Sequence, residues 1–283
     1  MPATDRHANA ATRDQWDATA SGWHRQGPVI RDWLRLPTKT LFEMAGIAPG
    51  QAVLDVAAGA GDQTLDLAGL VGPSGRVVAT DISPGILAHA ATAARAAGHR
   101  CVETCVADAE HLDLPLASFD AAICRLGLMF LTSPLVGLAA IRRALKPGAR
   151  AAVMVFAAPD QNPCLRIIMS TALRHAGLGP RDPFQPGGLM SLGRPGHLEA
   201  LFTEAGFHGV TAARIDAPFR LPRTADYVAF LRDAAGPVID ILARLSPAAQ
   251  DAAWADITSQ LEVFQTDAGW VGPNSLILTA GTS

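Results

Sequence analysis

Cysteine, lysine and tyrosine are scarce in this sequence, and long hydrophobic runs are missing. Only four of the 283 residues are cysteine, too few to hold a chain of this length by disulfides, and none of their spacings is the CxxC of a zinc site. We therefore expect a reduced, cytoplasmic protein. The longest apolar run covers residues 151–158, far short of the ~20 residues that span a bilayer. Residues 1–28 lack the apolar segment of a signal peptide.

A basic surface is also missing. The formal net charge is −3, and the only lysines are Lys39 and Lys146. Because nucleic-acid sites carry clustered lysine and arginine, no nucleic-acid partner is expected. Hydrophobic residues make up 49% of the chain and charged residues 17%, which is typical of a globular protein and excludes general disorder.

Short apolar segments alternate with helical patterns in the first half of the chain. This alternation predicts parallel strands in a doubly wound α/β sheet with helices on both faces. The predicted strands cover residues 52–57, 76–80, 101–107, 119–124 and 150–156, and the predicted helices cover 62–70, 83–97 and 133–145.

The second half is less regular, and prolines interrupt it repeatedly between residues 160 and 196. We expect helical insertions here around a sixth strand and a last strand. The helical patterns cover residues 164–176, 196–205 and 223–265, the strand patterns cover 207–215 and 275–280, and residues 269–274 are predicted to be an ordinary connection.

The most informative segment is VLDVAAGAGDQT, residues 53–64, where a strand runs into a small-residue turn and then a helix. Gly59 and Gly61 permit a positive φ and a close approach of the backbone to a ligand. The segment lacks the lysine of a phosphate-binding loop, and Thr64 stands where a third glycine of GxGxxG would be. The loop by itself is either a tight turn or a ligand site.

Two aspartates follow the next two predicted strands. Asp81 can accept hydrogen bonds from ribose hydroxyls, and Asp108 can accept one from an exocyclic amine of adenine. Ile82 adds apolar surface for a base. Each aspartate alone can equally begin a loop or cap a helix. Since the carboxyl ends of parallel strands meet at one edge of a sheet, the three features together favour a nucleoside site there.

The segments VLDVAAGAGDQT, VVATDIS, CVADAEHLDLP, FDAAICRLGLMF and RRALKPGAR resemble, in this order, the class I S-adenosylmethionine-dependent methyltransferases, and most of all their ubiquinone/menaquinone C-methyltransferase-like branch. The resemblance implies one domain with a Rossmann-like, doubly wound, seven-stranded sheet, mostly parallel with an antiparallel last strand. Within it, residues 1–46 would form a helical lid, 50–158 the cofactor-binding core, 160–205 and 220–268 helical inserts that cover the substrate, and 207–216 and 274–281 the final strands.

The resemblance also implies a set of residues for S-adenosylmethionine. Asp55 and the loop 57–61 would lie beside its methionine part, Thr64 near its carboxylate, Asp81 at the ribose and Ile82, Asp108 and Ala109 at the adenine. Cys124 and Arg125 would lie under the sulfonium. With Trp16 and Trp23 of a helical flap, the full set is Trp16, Trp23, Asp55, Ala57, Ala58, Gly59, Gly61, Thr64, Asp81, Ile82, Asp108, Ala109, Cys124 and Arg125.

This sequence departs from the family pattern in two places in that set. Ala57-Ala58 replaces the commoner Gly-Cys of the loop, which keeps the loop small. Arg125 replaces a small polar residue, which puts a quinone acceptor in doubt.

Two residues are candidates for a catalytic role. Arg125 would either contact an anionic substrate or form a structural ion pair with Asp108 or Asp14, because a buried arginine needs a partner. His24 has a side chain that titrates near neutral pH and is either a base or an ordinary surface histidine. The tryptophans are either part of this flap, shielding a sulfonium, or core residues. Candidate pocket walls are Leu126, Leu128, Met129, Phe130, Met169, His175, Phe184, Met190 and His197.

We expect transfer of a methyl group from S-adenosylmethionine, leaving S-adenosylhomocysteine, to a small hydrophobic molecule of secondary metabolism, with no metal and with a possible homodimer. One alternative is a protein of the same fold that binds the cofactor for another reaction or for binding alone. A nicotinamide-dependent oxidoreductase is disfavoured, because the single tyrosine, Tyr227, is not followed by the lysine of a Tyr-x-x-x-Lys site.

Overall fold

Five strands form the parallel part of the central sheet. In the computed structural model, which describes the backbone of residues 3–283 and the side chains of residues 11–283, they are β1 (Ala52–Val56), β2 (Arg76–Asp81), β3 (Val102–Val106), β4 (Phe119–Arg125) and β5 (Leu145–Phe156). They pair in the order β3-β2-β1-β4-β5. The strand β5 begins five residues earlier than its apolar pattern predicts, because Leu145 already pairs with Phe119 of β4 before a register shift brings Arg150 opposite Ala121.

Two later strands complete the seven-stranded sheet. β6 (His208–Asp216) forms one edge, and β10 (Ser275–Thr282) lies between β5 and β6. Because β10 is antiparallel to both neighbours, the predicted fold class, with its antiparallel last strand, is confirmed.

Helices follow the first strands as predicted, namely α3 (Asp62–Val71), α4 (Pro84–Ala96) and α5 (Pro134–Ala144). The start of α4 shows the expected local chemistry. The Ser83 side chain accepts a hydrogen bond from the Ile86 N–H at 3.0 Å, and Pro84 occupies the first helical position, where its missing N–H costs nothing.

The insertions are five helices and a second, small sheet. The helices are α6 (Pro163–His175), α7 (His197–Glu204), α8 (Thr224–Ala234), α9 (Gly236–Leu242) and α10 (Pro247–Leu261). The sheet consists of β7 (Phe219–Leu221), β8 (Gln265–Thr266) and β9 (Gly269–Gly272), paired in the order β7-β9-β8.

The prediction that residues 269–274 are a plain connection is therefore wrong. Trp270 of β9 is fully buried and donates from Nε1 to the Leu261 carbonyl oxygen at 2.9 Å. Strands of two to four residues show no alternation that a sequence pattern can detect.

The region predicted as a lid contains two helices, α1 (Ala3–Arg25) and α2 (Gly27–Ala45), and its first two residues lie outside the described part of the chain. α1 lies across α4 and α8, whereas α2 packs against β4, β5 and β10 and buries Ile30, Leu34 and Leu41. All four cysteines are free thiols. No helix in the described residues 3–283 is long and apolar enough to cross a membrane.

The fold makes Gly61 difficult to replace. Its φ is +88°, and a Cβ there would lie 2.6 Å from the Ala90 Cβ of α4. We expect Gly61→Ala to lower the free energy of unfolding by about 2–5 kcal/mol, because left-handed strain adds to overpacking. Urea unfolding measures this change.

The matched control is Gly69→Ala in the exposed part of α3, where no atom lies within 4 Å of the added Cβ. This variant should gain up to ~1 kcal/mol from helix propensity. Equal stability of the two variants would contradict the tight contact between α3 and α4.

Candidate functional site

A cavity of about 510 Å³ runs along the carboxyl-terminal edge of the parallel strands. It passes over the point between β1 and β4 where the strand order reverses, which is where doubly wound sheets bind ligands. The lining residues at successive strand ends are, in sheet order, Asp108 after β3, Asp81 in β2, Ala57 after β1, Leu126 after β4, Phe156 in β5 and Asn274 before β10.

Asp81 is the central polar group of the half of the cavity over β1–β3. Its carboxylate accepts hydrogen bonds from the Gly59 N–H at 2.9 Å and the Ser83 N–H at 3.0 Å. Burial raises the pKa of Asp81, although these backbone hydrogen bonds act in the opposite direction. Since a carboxylate offers about four acceptor positions, Asp81 keeps acceptor capacity for a ligand in the cavity.

Asp108 lies at the far end of the same half, with Ile82 and Ala109 also lining the wall. One oxygen of Asp108 accepts from the Glu110 N–H at 2.9 Å, and the other lies 3.3 Å from Nδ1 of His111. Possible metal-ligand atoms of Asp108, Glu110 and His111 lie within 4.8 Å of one another. Their capping hydrogen bonds account for this cluster, because Glu110 also accepts from the Ser133 N–H where α5 begins.

Four predicted cofactor residues lie behind the cavity wall and not on it: Asp55, Gly61, Thr64 and Cys124. The Thr64 hydroxyl donates to the Asp55 carboxylate at 2.6 Å, and the Gln63 amide donates to it at 3.3 Å. Burial raises the pKa of Asp55 to about 7 and that of Cys124 to about 12. These groups hold β1, α3 and β4 together beneath the loop that lines the cavity.

Arg125 forms a structural ion pair at the end of β4. Its guanidinium donates to both Asp62 oxygens at 2.6 Å, to the Gln63 side-chain oxygen at 2.6 Å and to the Thr38 hydroxyl at 3.0 Å. The expected partners Asp108 and Asp14 were wrong. Asp62 opens the helix after β1, the neighbour of β4, whereas Asp108 follows a strand three positions away.

The helix α1 covers the polar half and contributes Trp16, Trp23 and His24 to the lining. Trp16 packs edge-on against Phe130 at 5.1 Å between ring centroids, and Trp23 lies 5.8 Å from Trp16. Nε1 of Trp23 is buried without a hydrogen-bond partner. α1 is attached to the start of α4 through the Asp17 carboxylate, which accepts from the Ser83 hydroxyl and, at 2.9 Å, from the Gly85 N–H.

His24 is exposed and stacks on His89 of α4, with the ring centroids 4.3 Å apart. Burial, together with the neighbouring His24, lowers the pKa of His89. Because α4 follows β2, this histidine pair lies on the side of Asp81 and away from the end of β5.

The other half of the cavity, over β4, β5 and β10, is apolar. Among the described residues, the charged side chains that line the cavity from β4, α3 or α2 are Arg125, its partner Asp62, and Arg31, which pairs with Asp66. Its walls come from α2, α6, β7, α8 and α9, and they include Trp33, Phe156, Leu165, Ile168, Met169, Phe219, Tyr227, Phe230 and Val238.

Of the wall residues expected after β4, the structure places Leu126, Met129 and Phe130 on the cavity, whereas Leu128 is fully buried. Of those expected from the insertions, only Met169 lines it. His175 instead contacts the Asp256 carboxylate at 2.8 Å, and this hydrogen bond is the main cause of an Asp256 pKa lowered to about 2. Phe184 lies under the Arg194 guanidinium, and Met190 and His197 lie elsewhere.

The sequence interpretation missed the aromatic residues of the apolar wall. Tyr227 and Phe230, three residues apart on α8, were a usable signal, because this spacing places two rings on one face of a helix. Trp33 and Phe219 gave no such signal. Their ring centroids lie 4.6 Å apart, but Trp33 is on α2 and Phe219 is on β7, far away in the sequence.

Comparisons with known proteins agree with this geometry. Residues 53–148 match a family described as a methyltransferase domain. The chain is 38% identical over 129 residues to the ubiquinone/menaquinone biosynthesis C-methyltransferase UbiE of Teredinibacter turnerae, covering 45% of this chain and 52% of that protein. It is 36% identical over 169 residues to UbiE of Ectopseudomonas mendocina, covering 58% and 61%.

The chain thus spans between about half and three fifths of the length of these curated relatives. Among solved structures, the YcgJ protein of Bacillus subtilis superposes with a TM-score of 0.56 and 20% identity, over 89% of this chain and 98% of that one. This likeness shows the shared fold.

The Arg125–Asp62 pair should contribute strongly to stability. We expect Arg125→Met to lower the free energy of unfolding by about 3 kcal/mol, because a partly buried carboxylate loses its partner. The double variant Arg125→Met/Asp62→Asn should lose less than the sum of the two single variants in urea unfolding. Additive losses would show that the two side chains are not coupled.

Asp55 should make stability depend on pH. Its pKa is about 7 in the folded state, against an ordinary value of 3.8 for an aspartate, so the folded state binds the proton more tightly. The contribution of this proton to the free energy of unfolding is fully present below pH ~4 and is lost as pH rises to ~7. Relative to Asp55→Asn, the wild type should lose up to about 1.4 kcal/mol per pH unit in this window. Parallel unfolding curves of the two proteins against pH would contradict the buried, protonated carboxyl.

Proposed function

We infer that this chain, which carries a class I methyltransferase domain of the UbiE-like branch, transfers a methyl group from S-adenosylmethionine to a small, uncharged and largely apolar molecule. The observation that carries the proposal is the division of one cavity into two halves at the point where the strand order reverses. Polar groups at the ends of β2 and β3 face one half, and aromatic and aliphatic side chains face the other.

The polar half fits the adenosine part of this cofactor. Asp81 has acceptor positions left for ribose hydroxyls, and Asp108, Ile82 and Ala109 suit the edge and face of a base. At the boundary between the halves, the loop of residues 57–61 carries only alanine and glycine. A Cβ on Gly127 would collide with Ala57 and would lie 3.2 Å from Sγ of Cys124. This small-residue floor leaves room for the methionine part over the loop 57–61.

When bound, the cofactor would supply a methyl carbon on a positively charged sulfur, open to in-line displacement. The chain's own residues would align the two reactants, and such alignment can supply roughly 7–11 kcal/mol of a barrier. We propose that Trp16 and Trp23 of α1 cover the cofactor and exclude water.

We assign Arg125 to a positioning role. All its described contacts are with Thr38, Asp62 and Gln63, so it fixes the end of β4 against α3 and α2. His24 lies against α4 on the cofactor side, away from the apolar half. With no carboxylate or imidazole among the described residues of the apolar half beyond Asp62, we propose an acceptor atom that is nucleophilic without a base held there.

The domain organisation supports the same proposal. In it, α1 forms the lid, α2 joins the lid to the sheet, and the helices α6, α8 and α9 form the substrate cover. These elements arise from the segments outside the matched region 53–148, and they supply most of the apolar wall. Acceptor preference would therefore be determined mainly by the part of the chain outside the matched region.

Asp81 provides the direct test of the cofactor assignment. We expect Asp81→Asn to weaken S-adenosylhomocysteine binding tenfold or more, because hydrogen bonds to a charged acceptor are worth about 1.5–3 kcal/mol each. Titration calorimetry measures the affinity, and thermal unfolding checks that the variant folds.

The matched control is Asp216→Asn, a carboxylate at the exposed end of the edge strand β6. It should leave the affinity unchanged. Wild-type protein that fails to bind S-adenosylhomocysteine would overturn the proposed function, and equal affinities of the wild type and Asp81→Asn would overturn the ribose assignment.

A further inference from the structure

Tyr227 is the single tyrosine of the chain, and it lies on the wall of the apolar half. Only 2% of its surface is exposed, and the residue lines the cavity from α8. Its ring stacks on Trp270 with the centroids 4.2 Å apart and lies 5.0 Å from the ring of Phe219. These ring contacts fix the direction of the hydroxyl, and the hydroxyl itself takes no part in them.

The Tyr227 hydroxyl makes no hydrogen bond with the described residues. It is also not among the polar atoms that protein encloses completely without a partner, so its oxygen faces open space. Since the residue lines the cavity, that space is the apolar half. Burial raises the pKa of Tyr227, so the hydroxyl keeps its proton at neutral pH and is available as a donor.

A second polar group lies in the same part of the wall. Asn274 is 3% exposed, lines the cavity and donates from its side chain to the Gly272 carbonyl oxygen at 3.3 Å. Gly272 pairs with Phe219 across the small sheet, and Phe219 in turn contacts Tyr227. The small sheet thus brings two polar side chains to the otherwise apolar half, at the end away from Asp108.

We propose that the Tyr227 hydroxyl donates a hydrogen bond to an oxygen of the methyl acceptor, which makes Tyr227 a specificity-determining residue. The acceptor class is then an uncharged, mainly apolar molecule that carries a hydroxyl or carbonyl oxygen remote from the atom that is methylated. An unpaired hydroxyl in an apolar chamber is costly, and an acceptor oxygen removes that cost, whereas a pure hydrocarbon does not. This inference rests on the proposed function for the identity of the reaction.

The test uses two probes with the same ring system, 2-naphthol and naphthalene. Their affinities are measured by quenching of tryptophan fluorescence, with and without saturating S-adenosylhomocysteine, for the wild type and Tyr227→Phe. We expect the ratio of naphthol to naphthalene affinity to be about fivefold higher in the wild type, the equivalent of one hydrogen bond of about 1 kcal/mol. Naphthalene should bind Tyr227→Phe at least as tightly as the wild type, because it leaves the wild-type hydroxyl without a partner.

Met169→Leu is the matched control, since Met169 lines the same half of the cavity without a polar hydrogen. It should leave the affinity ratio at the wild-type value. An equal ratio in the wild type and Tyr227→Phe, or binding of neither probe to the wild type, would overturn the inference. If the wild type has the higher ratio of naphthol to naphthalene affinity but does not bind S-adenosylhomocysteine, the proposed function is overturned and the Tyr227 contact is still supported.

Discussion

The site depends on a buried polar network beneath the point where the strand order reverses. Neighbouring strands there send their helices to opposite faces, which opens a crevice between the ends of β1 and β4. Arg125 on β4 bridges this crevice to Asp62 and Gln63 on α3, and Gln63 and Thr64 in turn donate to Asp55 on β1. The cross-link lies under the crevice, so the strand ends are fixed while the space above them stays open.

That rigid floor permits an unusual backbone on both sides of the crevice. Ala57 and Leu126 have positive φ values of 55° and 57° although neither is glycine, and such conformations cost of order 1–3 kcal/mol each. Both residues line the cavity, and Gly127 lets the two turns approach closely. The strain therefore lies where the proposed methyl transfer would occur, and the network under it maintains the geometry.

The two halves of the cavity are built by different means. The polar half uses residues at strand ends, so its chemistry is tied to the sheet and to a short, contiguous stretch of sequence. The apolar half is assembled from α2, near the start of the chain, and from helices and a small sheet inserted late in it. Its wall contains one tyrosine hydroxyl with no partner among the described residues. This division lets the cofactor side stay constant while the acceptor side varies.

The sequence alone determined the sheet, the helices that follow β1, β2 and β4, and the strand-end position of Asp81 and Asp108, because these depend on local periodicity and on residues close to each other in the chain. It did not determine the partner of Arg125, the burial of Thr64 behind the wall or the β7-β9-β8 sheet. Those depend on contacts between elements far apart in the chain, such as Trp33 with Phe219 and Tyr227 with Trp270. Only the tertiary structure decides such contacts, because packing between distant segments produces no repeating hydrophobic pattern in the sequence of either segment.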